Sequence, residues 1–272
     1  MIYIVIPVFN RKKFTQECLD ALRIQTFKEF KTIVVDDGST DGTLDMLKAE
    51  YPEVIPIDGG GDLWWTEATN VGIRHALQDK ATTHVMTLNN DTVPTSTFME
   101  KMYEWILKKP TAILGACPLN IENMKPVIEG SLLSKKKELE GKELSGLFKV
   151  THYPGRGCLI PVQVFEKIGL FDTKNFPHYF ADFDFTLTAH EHGFEVFYNF
   201  DAKLLTYPDE SGDAKNRQRK SWKNYMKHLF DIKGGGNLKD FTRFTVKHTP
   251  AHKLPIKLLY GYSTRLLGYW LK

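Results

Sequence analysis

Five short apolar runs in the first 118 residues, alternating with longer amphipathic stretches, constrain this chain more than any other feature. Strands are predicted at Ile2 to Val8, Thr32 to Asp36, Glu53 to Ile57, His84 to Leu88 and Ala112 to Ala116. Helical periodicity between them predicts helices around Phe14 to Gln25, Thr43 to Ala49, Ala68 to Gln78 and Ser96 to Lys108. Apolar runs without polar alternation belong to strands buried on both faces, and repeated βα units cover a parallel sheet with helices on each side. The expected fold is α/β, a Rossmann-like, mostly parallel sheet.

After Pro118 the pattern breaks into a polar stretch with Lys135-Lys136-Lys137 and Glu138-Leu139-Glu140, read as a solvated loop or hairpin. A glycine turn at Tyr153 to Gly157 then enters a strand, followed by a short helix to Gly169, an acid-led helix from Phe180 to Gly193 and a strand at Glu195 to Tyr198. Residues 1–212 form the expected main domain, with halves at 1–118 and 119–212. From residue 213 the composition turns basic, with Lys215, Arg217, Arg219, Lys220, Lys223 and Lys227 close together and Leu254 to Trp270 rich in leucine and aromatics. A basic, amphipathic helical extension is expected over 213–272, either interfacial to a membrane or packed on the main domain.

Composition acts by exclusion. With 272 residues, 42% hydrophobic content and a net charge of +3, the chain is ordinary for a soluble globular protein and is not expected to bind nucleic acid. Cys18, Cys117 and Cys158 are widely spaced without any CxxC, so neither a disulfide framework nor a zinc site is expected. The opening Ile2-Tyr3-Ile4-Val5-Ile6-Pro7 lacks the basic flank of a signal peptide, and no apolar stretch reaches the ~20 residues of a membrane span. The expected location is cytoplasmic, with any membrane contact peripheral on the inner face.

Leu88-Asn89-Asn90-Asp91 places a carboxylate and two amides at a strand's C-terminal end, where open α/β sheets bind ligands. Val34-Val35-Asp36-Asp37-Gly38-Ser39-Thr40 repeats the arrangement. Two acidic strand ends on one sheet edge suit a cation and a polyphosphate. Mg2+ or Mn2+ takes oxygen ligands and keeps waters, so Asp91 plus substrate phosphates suffices, although such triplets also start turns. Asp37 suits a ribose hydroxyl or a base N–H, or else a plain turn. In Gly59-Gly60-Gly61-Asp62-Leu63-Trp64-Trp65 the indoles suit a base, with one of the two expected in the core. Asp182 and Asp184, two apart at a helix start, point in different directions, so one faces a cleft as a general base while the other caps or pairs elsewhere. Arg156 and Gly157, in the glycine turn, suit either a phosphate contact or a structural turn.

Together these segments resemble family 2 glycosyltransferases, inverting enzymes with the GT-A fold. The resemblance is carried by Val5-Ile6-Pro7-Val8-Phe9-Asn10-Arg11, Gln25-Thr26-Phe27, Val34 to Thr43, Leu88 to Asp91 and Phe180-Ala181-Asp182-Phe183-Asp184, in order over roughly residues 1 to 205. Trp-Trp-Thr and Ala-Thr-Asn are similar to segments of bacterial surface-polysaccharide and rhamnosyl-type transferases. The resemblance implies a nucleotide-diphosphate sugar donor, Mg2+ or Mn2+, and a glycan or lipid-linked glycan acceptor. It puts Pro7, Phe9, Asn10, Asp37, Trp64, Trp65, Asn70 and Asn90 at the nucleotide-sugar site and Asn89 and Asp91 at the ends of the DxD-type metal motif. Asp182 becomes the base, with Asp184 sharing the role, and Arg156 and Gly157 fall on the acceptor side. The sequence departs from the family at Ala181, where glutamate is usual, and at Asn89, where aspartate is usual. Gln218-Arg219-Lys220-Ser221-Trp222 is similar to the Gln-x-x-Arg-Trp of processive synthases but has Ser221 for arginine, so single-sugar transfer is expected. A catalytically silent nucleotide- or glycan-binding protein of this fold is the competing reading. A sugar nucleotidyltransferase ranks behind it, because Pro7 to Arg11 holds no glycine for a triphosphate loop.

Overall fold

Strand β1 (Ile2–Val8) is apolar on both faces and is covered on both. Ile2, Ile4 and Ile6 pack with Cys18, Leu19 and Leu22 of α1 (Lys12–Arg23), while Tyr3 and Val5 pack with Ala68, Ile73 and Ala76 of α3 (Trp64–Ala76). This two-sided burial makes β1 a central strand. It pairs in parallel with β2 (Phe30–Asp36) on one side and β4 (His84–Thr87) on the other, and β2 continues in parallel to β3 (Val54–Asp58). The computed structural model describes residues 1–128, 130–139, 144–207 and 220–271. The 212/213 boundary, Lys215, Arg217, Gln218 and Arg219 lie outside the described residues.

The other strands are β5 (Thr92–Pro94), β6 (Ile113–Asn120), β7 (Leu147–Val150), β8 (Cys158–Pro161) and β9 (Val196–Thr206). They complete a nine-stranded sheet in the order β3-β2-β1-β4-β8-β6-β9-β5, with β7 paired to β9. β8 enters antiparallel between β4 and β6, and β6 runs parallel to β9. Helices α2 (Thr43–Glu50) and α4 (Phe98–Lys108) join α1 on one face. On the α3 face lie α6 (Val162–Ile168) and α7 (Ala181–Glu191). The charge run read as a loop or hairpin is instead a 3-10 turn at Gly130–Lys135 leading into α5 (Lys136–Leu139), pinned by buried Leu132 and Leu139. β5 and β7 are too short to show periodicity, and both form by pairing with β9, which runs on past Tyr198 to Thr206.

Among the described residues three α-helices follow: α8 (Trp222–Phe230), α9 (Leu238–His248) and α10 (Leu254–Leu271). Ser221 caps α8 by accepting from the Asn224 N–H, and Asn237 caps α9 by accepting from Lys239 and Asp240. The three cysteines are free and buried, and burial pushes the Cys18 thiol up to about 12 and Cys117 to about 11. Among the described residues no helix is long and apolar enough to cross a membrane.

Helix α3 approaches the sheet at Gly72, where a Cβ would lie 2.4 Å from Val5 Cγ1 and 3.3 Å from Val35 Cγ2. Gly72→Val is expected to overpack this contact and lower stability by about 1–3 kcal/mol, measured as a reduced urea midpoint with an unchanged slope.

Candidate active site

The chain runs outward through β1, β2 and β3, then returns to β4 on the other side of β1. The loops after β1, β2 and β4 therefore diverge around one crevice at the strand C-termini, the switch point of an open α/β sheet. A cavity of about 510 Å³ opens there, within the roughly 300–1,000 Å³ of small-ligand sites. Pro7, Phe9, Asp37, Trp64, Trp65, Asn89, Asn90, Asp91, Arg156 and Asp182 all line it. Non-glycine residues with left-handed backbone cluster around it: Asn10, Asp62, Trp64 and Phe180 have φ of 51°, 62°, 58° and 67°.

The Asp37 carboxylate bridges two loops. Its Oδ1 accepts from the Leu63 N–H at 2.8 Å and its Oδ2 from the Trp64 N–H at 2.9 Å. Asp36 turns inward, accepting from the Ser39 N–H with Oδ1. The same loops touch at Gly38, whose φ is 77° and whose added Cβ would lie 3.1 Å from Gly61 Cα. Both indoles reach the cavity, and Trp65 also packs on the core, edge-on to Phe171. Its Nε1 donates to Asn89 Oδ1 at 3.0 Å. The ring covers Gly155, where a Cβ would lie 2.4 Å from Trp65 Cζ2. Gly155 in turn donates its N–H to Asp182 Oδ2 at 2.9 Å, and the Phe183 N–H binds Asp182 Oδ1 at 2.8 Å.

Asp91 meets the Arg11 guanidinium through Oδ2 at 2.8 Å, while its Oδ1 is buried without a hydrogen-bond partner. A buried, unpartnered carboxylate oxygen on a residue that lines the cavity fits a hard divalent cation, which accepts one or two carboxylates when phosphates and waters supply the rest. Asn89 offers an oxygen that already accepts from Trp65, so it orients the indole before anything else. Among the described residues no group of three His, Cys, Asp or Glu side chains is arranged to hold a metal.

Three cavity residues, His178, Tyr179 and Lys233, escaped the sequence reading. His178 sits edge-on to Trp64 with its Nδ1 buried and without a partner, and burial, aided by the Lys233 charge, pushes its pKa down to about 4. Its ring is neutral at pH 7. Lys233, from the loop between α8 and α9, holds its ammonium 5.4 Å from the Phe9 ring centre and 5.2 Å from that of Trp64. His178-Tyr179, four and three residues before Asp182, was a detectable aromatic cue, whereas nothing near Lys233 in sequence announces it.

Four expected site residues lie elsewhere. Asn70 is buried on α3, its side chain bonded in both directions to the Phe171 backbone, so it locks the helix to the loop after α6. Asn10 does not line the cavity; its Oδ1 accepts from the Thr40 N–H and its own N–H binds Ser39 Oγ, stitching the first two loops together. Gly157, with φ at 71°, is walled by Leu204 and Ala116 and serves as a structural turn. Asp184 faces away from Asp182, 4% exposed, with Lys247 Nζ at 2.7 Å and His248 Nε2 at 2.8 Å. It therefore clamps α9 onto α7. Asn90 lines the cavity while its amide donates to Thr15 Oγ1. Ala181, at the position of the missing glutamate, is fully buried.

Comparison with known proteins gives the class of this chain, a sugar-transferring enzyme family. Residues 3–169 match the family described as Glycosyl transferase family 2, and the chain belongs to it. The low-salt glycan biosynthesis hexosyltransferase Agl10 of Haloferax volcanii is 27% identical over 181 residues, covering 64% of this chain and 57% of that protein. The chain spans about half the length of several curated relatives that it matches. Among solved structures, S. aureus TarS 1-349 in complex with UDP-GlcNAc matches with a TM-score of 0.66 at 15% identity, over 98% of this chain and 72% of that one. The mannosyltransferase PcManGT from Pyrobaculum calidifontis, in complex with GDP-Man and Mn2+, matches with a TM-score of 0.64 at 16% identity, over 98% and 70%. These likenesses show a GT-A glycosyltransferase fold.

The Asp184 clamp is pH-dependent. Burial pulls the His248 pKa down, but its bonds to Asp184 and Glu191 outweigh that and leave it raised above 6.5. The stability it adds is fully present below the unfolded value and is lost as pH rises through the higher folded one. In urea unfolding at a series of pH values, the stability gap between wild type and His248→Gln is expected to be largest near pH 6 and to close at alkaline pH.

Proposed function

We propose that this glycosyltransferase is an inverting enzyme that moves a single hexosyl or deoxyhexosyl group from a nucleotide-diphosphate sugar to a hydroxyl of a glycan or lipid-linked glycan. The observation that carries this reading is one cavity holding both Asp182, an oriented carboxylate, and Asp91, a carboxylate with a buried unpartnered oxygen, beside the Phe9–Trp64 slot. The base stacks in that slot and the loop after β2 borders the ribose. Residues 1–118 supply most of the donor site, residues 119–212 the acceptor side, and the segment beyond contributes Lys233.

Asp182 takes the proton of the acceptor hydroxyl as that oxygen bonds to the anomeric carbon. The bond from that carbon to the diphosphate oxygen breaks, and its electron pair leaves with the nucleoside diphosphate. Attack and departure on opposite faces invert the anomeric centre, with no sugar–protein bond. A Mg2+ or Mn2+ ion bound at Asp91 supplies positive charge for the departing diphosphate. Arg11 fixes the Asp91 carboxylate, and Asn89 fixes the Trp65 wall. Neutral His178 and cationic Arg156 line the same cavity and border the transferred sugar and the acceptor. Synthesis of cell-surface polysaccharide at the cytoplasmic membrane face suits such an acceptor.

Purified protein with Mg2+ or Mn2+ and a panel of UDP-, GDP- and dTDP-sugars is expected to release nucleotide slowly from one donor. Asp182→Asn is expected to lower that rate by about 10²–10⁴-fold without weakening nucleotide affinity, and Asp91→Ala to abolish its metal dependence. Nucleotide-sugar binding without turnover in the presence of acceptor glycans would instead favour a silent binding protein, the reading that Ala181 keeps open. Absence of nucleotide binding by calorimetry removes both.

A further inference from the structure

Helix α10 packs on its neighbours through one stripe, with Gly261 and Tyr269 buried and an added Cβ at Gly261 meeting the Phe241 ring at 1.9 Å. Its other side is apolar and exposed. Ile256, Leu259, Tyr260, Leu267 and Trp270 recur at spacings of three, four and seven residues, which puts them on one face. Ile256 and Leu259 are each 74% exposed. Helix α8 adds Trp222, Met226 and Phe230, four apart and therefore on one face, with Trp222 69% exposed. The two stripes meet where Trp222 stacks on Trp270, ring centres 5.9 Å apart. The result is a continuous apolar face exposed among the described residues, larger than the isolated apolar residues normal on a protein surface.

Its surroundings decide what covers it. Lys223 and Lys227 flank the α8 stripe, and Lys253 and Lys257 flank the start of α10. Residues 220–271 contain ten Lys and Arg against Asp231 and Asp240 alone, a net +8. The whole chain carries +3, so the remaining residues sum to −5 and the positive charge is concentrated on this unit. Symmetric pairing with a second copy would bring these same cations onto one another. An anionic bilayer offers the opposite charge to the lysines, an apolar layer to the leucines, and an interface at which Trp and Tyr rings settle. Helix α10, about 27 Å long by its 18 residues, would lie in that interface plane.

We infer that the α8–α10 face docks this protein on an anionic lipid surface. The inference does not depend on the reaction in the cavity. It does fix geometry: the docking unit is clamped to α7, the helix carrying Asp182, by the Asp184 contacts with Lys247 and His248, and it delivers Lys233 to the cavity. A docked chain therefore holds its cavity at a set orientation to the bilayer.

The test is sedimentation of the full chain with phosphatidylcholine vesicles made with and without phosphatidylglycerol. Co-sedimentation with the anionic vesicles, released by salt, is expected. Leu259→Glu with Leu267→Glu is expected to weaken it roughly tenfold or more, and Lys223→Glu with Lys227→Glu to weaken it on anionic vesicles only. All four side chains already face solvent, so circular dichroism and thermal midpoint should match wild type. Wild-type protein that stays in the supernatant with both vesicles overturns the proposal. So does binding unaltered in the leucine variant, or a wild-type dimer in sedimentation equilibrium that the leucine variant dissolves.

Discussion

The carboxylate of Asp37 connects the end of β2 to the start of α3, and most of the site's geometry descends from that link. Each of its oxygens accepts a backbone N–H, from Leu63 and Trp64. Charge-assisted bonds of this kind contribute roughly 1.5–3 kcal/mol each, enough to hold Trp64 at a positive φ that a bulky residue otherwise avoids. With Trp64 fixed, Trp65 is fixed beside it, and its indole reaches both Asn89 after β4 and the surface of Gly155. Gly155 then donates to Asp182. A single chain of contacts thus runs from the end of β2 to Asp182, the proposed base. Each link depends on the one before it, so loop positions far apart in sequence are set together.

Charge in the cavity is arranged by opposition. Asp91 is held by Arg11 on one oxygen, and its other oxygen is buried without a hydrogen-bond partner, which is the ground for the proposed cation site. Lys233 lies over the faces of Phe9 and Trp64, where ring quadrupoles attract a cation. In the proposed donor complex, a base entering that slot would displace the ammonium, which its four-carbon stem can carry toward the diphosphate. Donor entry would therefore exchange one favourable ring contact for another and gain an ion pair.

The parts of this structure legible in the sequence are those with many residues saying the same thing. The β1 run, buried on both faces, and the acids at the ends of β2 and β4 identified a central parallel sheet and its ligand edge. Asp182 and Asp184, two apart at a helix start, were expected to diverge, and they do: one faces the cavity and the other binds α9. Asn70 shows a motif overriding a pattern that was also visible. Thr66, Thr69, Asn70 and Ile73 recur at helical spacing and form the buried stripe of α3. β5 and β7 exist only because β9 offers them an edge, so no local signal can predict them. Lys233 reaches the site through three-dimensional folding alone.

The C-terminal helices illustrate the same limit from the other side. Their amphipathic pattern shows that each has an apolar face, and it does not say which face the rest of the chain will bury. Packing answers that through small and charged residues. Gly261 lets α10 press against Phe241, the Thr242 and Tyr262 hydroxyls bond between α9 and α10, and Asp184 captures α9 from the main domain. These contacts draw on the less apolar side of α10, so the side richest in leucine and aromatics is left outward. A helix that packs inward through Gly261, Tyr262, Arg265 and Tyr269 while most of its leucines face outward departs from the usual arrangement of a surface helix, and burial of apolar area would then favour an external partner at about 25 cal/mol for every Å² covered.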